Sequence, residues 1–151
     1  MVQDNMQTTK KGTQIQTAAL PWRTRANGRL EILLVTSRDT QQWLLPKGWP
    51  MRGHSLAEAA AIEAFEEGGV EGRVDRRPIG SFDYIKSQVP RGRRAIKIVV
   101  HPLAVTKVRA NWPERLERKR KWFSFRKAAK AVSSEALAEL ILDCKKKLSR
   151  A

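Results

Sequence analysis

Residues 46 to 54 read Pro46-Lys47-Gly48-Trp49-Pro50-Met51-Arg52-Gly53-His54, and residues 55 to 70 continue Ser55-Leu56-Ala57-Glu58-Ala59-Ala60-Ala61-Ile62-Glu63-Ala64-Phe65-Glu66-Glu67-Gly68-Gly69-Val70. Glycine and proline give way to alanine and glutamate at Ser55, so a loop hands over to a helix. Ser55 and Glu58 form a Ser-x-x-Glu capping pattern at its start, and Gly68-Gly69 is a stop signal at its end. Glu63, Glu66 and Glu67 stand at i, i+3 and i+4, which puts three carboxylates on one helical face within a turn. Anions held that close repel, and a basic chain that keeps them together invites a counter-ion. Hard oxygen ligands on one face suit Mg²⁺ or Mn²⁺. Taken alone, the plainer reading of such a triplet is a solvent-facing helix edge.

Outward from this segment the chain alternates strand and helix material. Gln14 to Trp22 reads as a strand, Asn27-Gly28 as a turn, and Leu30 to Thr36 as a buried central strand. Trp43 to Leu45 is a short strand leading into Pro46. Beyond the helix, Gly72 to Val89 supplies strand material broken near Pro78, Pro90-Arg91-Gly92 turns, and Ala95 to Val105 returns as a long strand. Asn111 to Glu117 reads as a loop and Lys121 to Phe125 as a short strand, with Trp122 and Phe123 in the core. Leu137, Leu140, Ile141 and Leu148 give Ser134 to Leu148 a helical period, with Lys145 to Lys147 at the end the helix dipole favours. The order predicts an α+β fold, a mixed sheet with helices on its faces. It predicts a flexible tail over 1–13 and a single domain over 14–151.

Composition narrows the function classes. At 151 residues and 41% hydrophobic the chain can build one ordinary core. One cysteine, Cys144, forms no internal disulfide, which points to a reducing cytoplasm, and its place is a small apolar residue on the last helix. No stretch approaches a membrane span, and the polar start is neither signal peptide nor anchor. The net charge of +15 implies an anionic partner or a surface that attracts polyanions generally. His101, inside an apolar strand, reads as a satisfied buried histidine rather than a catalyst. No zinc spacing and no Gly-x-Ser-x-Gly nucleophile motif is present.

The segment from Gly48 to Val70 resembles the signature box of the Nudix hydrolase family, GX5EX7REUXEEXGU with U aliphatic. Gly48 takes the first glycine, Glu63 the glutamate of the Arg-Glu pair, Glu66-Glu67 the Glu-Glu pair, and Gly69-Val70 close the box in register. The Pro46-Lys47-Gly48 lead-in, the strand order and the late Trp122-Phe123 look like the family too. A multi-position match at fixed spacing is far more specific than a lone glycine loop. His54 stands where the family has glutamate. Ile62 stands where it has an arginine that generally orients neighbouring groups.

The resemblance implies a Nudix-like α/β/α sandwich. It also implies metal-dependent hydrolysis of a diphosphate linkage in a nucleoside diphosphate derivative, a dinucleoside polyphosphate or a diphosphoinositol polyphosphate. Glu63, Glu66 and Glu67 would act in catalysis and hold Mg²⁺ or Mn²⁺ with the Gly48 carbonyl. Lys47 and Arg52 would meet phosphate oxygens of a small anionic substrate. Glu63, or Glu114 or Glu117 from a later loop, would direct the attacking water. Trp43 and Trp49, which flank the loop, would stack on a base or line a pocket, or else pack in the core or form a half-exposed lid. Arg91, Arg93 and Arg94 flank a hairpin turn, where solvated charge is ordinary. The competing reading is a weakened scaffold that holds RNA or another polyanion, motivated by the charge and by His54 and Ile62. The expected assembly is a monomer or homodimer.

Overall fold

Apolar residues at a period of two build a mixed sheet, and the alanine-rich segment lies across one face of it. The computed structural model describes residues 8–9, 13–89 and 92–150, with side chains described over 13–84 and 95–150. Among these the strands are β1 (Thr8–Thr9), β2 (Thr13–Thr24), β3 (Leu30–Thr36), β4 (Trp43–Leu44), β5 (Lys47–Gly48), β6 (Val70–Val74), β7 (Gly80–Val89), β8 (Gly92–Val108) and β9 (Arg120–Ser124). The helices are α1 (Leu56–Gly68), α2 (Phe125–Ala131) and α3 (Glu135–Ser149). The sheet runs β4-β3-β2-β8-β6, with β1 and β5 paired to β2, β7 to β8 and β9 to β3. β2 and β8 are parallel from Gln14 opposite Ile96 to Trp22 opposite Ala104, and the other strand pairs are antiparallel. The α+β expectation holds.

Alternation along the strands sorts side chains into two cores. Leu20, Ile32, Leu34, Ile96, Ile98 and Val100 meet Phe125 of α2 and Leu137, Leu140, Ile141 and Cys144 of α3. Each large aliphatic or aromatic side chain buried there contributes about 1.5–3 kcal/mol. On the other face Ala19, Leu33, Val70 and Leu103 meet Ala60 and Ala64 of α1. Alanine buries little area but lets a helix approach closely, so α1 lies near enough to the sheet for its glutamates to reach β5. The capping box forms as its sequence predicts: Ser55 Oγ accepts from the Glu58 N–H and the Glu58 carboxylate accepts from the Ser55 N–H. Gly69 closes the helix in the left-handed region at φ 67°, where a side chain would be strained.

Several expectations shift at the edges. Phe125 does not end a strand: Ser124 caps a short helix there, accepting from the Lys127 N–H at 3.2 Å, and Phe125 becomes its buried first residue. The α2 segment is too short for a helical period to show in the sequence. Strand β6 starts at Val70, directly after the helix stop, and the break near Pro78 falls between β6 and β7. Phe123 is buried, whereas Trp122 is half-buried under the Arg23 guanidinium, 3.8 Å from its ring centre. His101 is buried and its Nδ1–H donates to the Asp75 carbonyl at 2.9 Å, while Nε2 has no partner among the described residues. The turn at 90 and 91, the side chains of Arg91, Arg93 and Arg94, and most of the tail over 1–13 lie outside the described residues. Within that tail, Thr8 is paired opposite Gln14.

Candidate active site

The two carboxylates one turn apart on α1 meet against β5. Glu67 is buried and accepts from the Lys47 backbone N–H at 3.3 Å. Glu63 is hydrogen-bonded to Glu67. Burial, that bond and the charges of Glu67, Glu66 and Glu114 push Glu63 from its ordinary 4.5 up to about 8. Glu67 is also raised, chiefly by burial, but Arg118, the bond from Glu63 and the Lys47 N–H pull the other way. Burial thus raises both groups, and the hydrogen bond between them holds a proton within the pair. Gly48 is the floor of this arrangement: a Cβ built there would collide with the Glu63 carboxylate. That explains physically why a glycine opens the motif.

The last turn of any α-helix leaves carbonyls without intrahelical donors. Here the segment after β8 supplies them in order. Glu114 N–H donates to the Glu66 carbonyl at 3.0 Å, Trp112 Nε1–H to Glu67 at 3.1 Å, Arg120 Nη1 to Gly68 at 3.0 Å and Arg109 N–H to Gly69 at 2.8 Å. Arg120 also stacks on Trp112, 3.8 Å from its ring centre. This clamp brings Glu114 beside the α1 carboxylates, where its charge raises both Glu63 and Glu67. Glu117, the other later-loop candidate, is instead half-exposed and paired with Arg38 at 3.0 Å.

Of the expected site residues, Gly48, Glu63 and Glu67 come together, and Glu66 stands half-buried close enough to bias Glu63. Lys47 joins them through its backbone, while its Nζ turns away to donate to Gln16 Oε1 at 3.2 Å and sits 5.3 Å from the Tyr84 ring centre. There it lines a cavity of about 410 Å³ with Trp43, Phe82, Tyr84, Ser133 and Leu137. Trp43 both lines this cavity and packs edge-on against Phe123 at 5.2 Å, and Trp49 is half-exposed. Arg52 is exposed on the turn ahead of α1. His54 sits 3.4 Å from Glu58, at the helix cap rather than the carboxylate cluster.

Among the described residues no three His, Cys, Asp or Glu side chains converge as a ready-made cation cage. The donor set nonetheless fits a hard divalent ion by its chemistry. A buried carboxylate and a half-buried one, both raised, hold a proton between them, and Gly48 leaves room for the Glu63 carboxylate against the backbone. A cation replacing that proton would neutralise both. Sequence reasoning missed Arg118 and Trp112. Arg118 lies in a basic run that looks like ordinary surface charge, and nothing local marks either residue.

Residues 14–144 match the family model described as "NUDIX domain". The chain belongs to the Nudix family. This Nudix chain is 33% identical over 103 residues to "Nudix hydrolase 12, mitochondrial" of Arabidopsis thaliana, covering 66% of the chain and 51% of that relative. It is 33% identical over 123 residues to "Diphosphoinositol polyphosphate phosphohydrolase 2" of Rattus norvegicus, covering 76% of the chain and 64% of the relative. It thus spans between half and two thirds of the length of these two curated relatives. Its fold is similar to that of a C. elegans Ap4A hydrolase, with TM-score 0.65, 18% identity, and 89% and 97% of the two chains covered. The MutT protein of Methanosarcina mazei Go1 gives TM-score 0.68, 17% identity, and 95% and 100% coverage. No described helix is long and apolar enough to cross a membrane.

Proposed function

We propose that this chain is a metal-dependent Nudix hydrolase that cleaves a diphosphate linkage. Its substrate would be a nucleoside diphosphate derivative, a dinucleoside polyphosphate or a diphosphoinositol polyphosphate. The observation that carries the reading is the hydrogen-bonded pair of half-buried Glu63 and buried Glu67, packed over the bare Cα of Gly48. Leaving two carboxylates in that state is costly unless a ligand uses them. Glu63, Glu66, Glu67 and the Gly48 carbonyl would hold Mg²⁺ or Mn²⁺. When bound, such an ion polarises a phosphoryl oxygen and lowers the pKa of water.

The residues around that group divide the remaining work. Glu114, fixed by its backbone to α1, directs the attacking water and takes its proton. Lys47 links the carboxylates to the cavity, so a diphosphate held at β5 would leave the rest of the substrate against Trp43, Phe82 and Tyr84. Arg52, exposed on the turn ahead of α1, would add charge for outer phosphate oxygens. A polyanion-binding scaffold without catalysis has the net charge of +15 in its favour. It gives no reason to keep Glu67 buried against a half-buried Glu63. The test is product release from a panel of nucleotides, dinucleoside polyphosphates, diphosphoinositols and triphosphorylated RNA, with Mg²⁺, Mn²⁺ or EDTA. Turnover that requires metal and disappears in the Glu66→Gln, Glu67→Gln double variant is expected; unchanged turnover in that variant would remove the site.

A further inference from the structure

Helix α1 carries three carboxylates towards its C-terminal end and no basic residue in its last turn. Ile62 occupies the position at which the family's pattern has an arginine, so no cation on the helix itself can hold these groups. A cation reaches them from the opposite side. Arg118 Nε lies 2.6 Å from Glu114 Oε1, its Nη2 lies 3.5 Å from Glu67 Oε2, and its Nη1 donates to the Thr36 carbonyl at 3.0 Å. Only 10% of its side chain is exposed. Thr36 is fixed in turn: its N–H donates to the Lys119 carbonyl at 3.0 Å and its Oγ1 accepts from the Lys119 N–H at 2.9 Å. The guanidinium is therefore bolted to the end of β3 by one edge and spans two carboxylates with its others.

We infer that Arg118 is a positioning residue: anchored on Thr36, it orients Glu67 and Glu114 and does from a late loop what Ile62 cannot do from the helix. A planar fork with several donors suits this, because it fixes the angle between its partners as well as their charge. Lysine supplies the charge alone. The role rests on the hydrolase reading for its catalytic consequence, but not for its effect on the two carboxylates themselves.

Arg118→Lys separates geometry from charge. Both Mn²⁺ affinity, measured by calorimetry without substrate, and kcat are expected to fall by about tenfold or more, as loss of a partner orienting such ligands typically does. KM should change by no more than about twofold, since Arg118 is committed to protein partners rather than to substrate. Arg118→Gln, which can still donate to Thr36 but cannot span two carboxylates, should behave alike, and it serves if the lysine variant fails to melt cooperatively. Wild-type Mn²⁺ affinity and kcat in Arg118→Lys would reduce Arg118 to a counter-charge and overturn the inference. A large rise in KM with kcat unchanged would make it a phosphate contact and overturn it too. If no substrate in the panel is cleaved, the hydrolase reading fails while the Mn²⁺ titration still tests the positioning role.

Discussion

At the scale of single residues, the site is a contest between burial and charge that raises Glu63 and Glu67 together. The folded value of Glu63, about 8, lies above its ordinary 4.5, so the folded protein binds a proton that the unfolded chain releases. The stabilisation is fully present below the unfolded value and is lost as pH rises through the folded one. In EDTA, the melting temperature of the wild type should therefore fall relative to Glu63→Gln between pH 5 and pH 8.5. Adding Mg²⁺ should restore the difference most at the alkaline end, where no proton has to be displaced. A wild-type curve parallel to that of the glutamine variant would rule out the shared proton. Gly48→Ala tests the same pair from below. A methyl group forced against the Glu63 carboxylate should cost about 1–3 kcal/mol in chemical denaturation and weaken Mn²⁺ binding in step. His54 and Ile62, which break the family's pattern on paper, lie outside this contest: one sits on the helix cap, and the other leaves a role that Arg118 can fill.

Among the elements, α1 is held differently at its two ends. The N-terminal capping box is local, and Ser55→Ala should cost about 1 kcal/mol while leaving Mn²⁺ affinity and turnover close to wild type. The C-terminal clamp is built from the distant stretch that runs from the end of β8 into the start of β9. Trp112→Phe keeps the ring under Arg120 but removes the donor to the Glu67 carbonyl. It should cost about 1–3 kcal/mol for the orphaned acceptor and also lower Mn²⁺ affinity, because Glu67 itself is loosened. Equal functional effects from the two variants would refute the asymmetry. Helix α3 offers a third check: Cys144 is fully buried, and burial pushes its thiol up to about 12. It should resist thiol reagents at pH 8 in the folded protein and react promptly in denaturant.

For the whole molecule, the dominant quantity is the net charge of +15, and part of it is already spoken for. Arg23 and Arg25 flank Glu31, Arg38 meets Glu117, Arg109 meets Glu71 and Lys147 meets Asp143. Arg118 is likewise taken up by Glu67 and Glu114. Binding to RNA, where measured, should fall steeply with added salt, show no preference over heparin, and be unaffected by Glu66→Gln with Glu67→Gln. Sequence-selective binding that survives high salt would contradict this and favour a dedicated nucleic-acid surface.

The helix, its caps and the alignment of Glu63, Glu66 and Glu67 were legible in one dimension. They depend on contacts between residues three or four apart, which a helical repeat imposes wherever it forms. The strand segments, in their order along the chain, were legible from runs of apolar and β-branched residues between turn signals. What no local period could reveal was the partner set of those carboxylates. Lys47 reaches Glu67 because β5 is paired to β2 beside α1. Trp112, Glu114 and Arg118 reach it because β9 pairs with β3, with Val35 opposite Arg120, and so delivers the preceding loop to the end of the helix. That Glu114 rather than Glu117 lies beside the α1 carboxylates, and that Arg118 reaches Glu67, are thus consequences of sheet register. Register is set by the packing of the whole core rather than by any segment's own sequence.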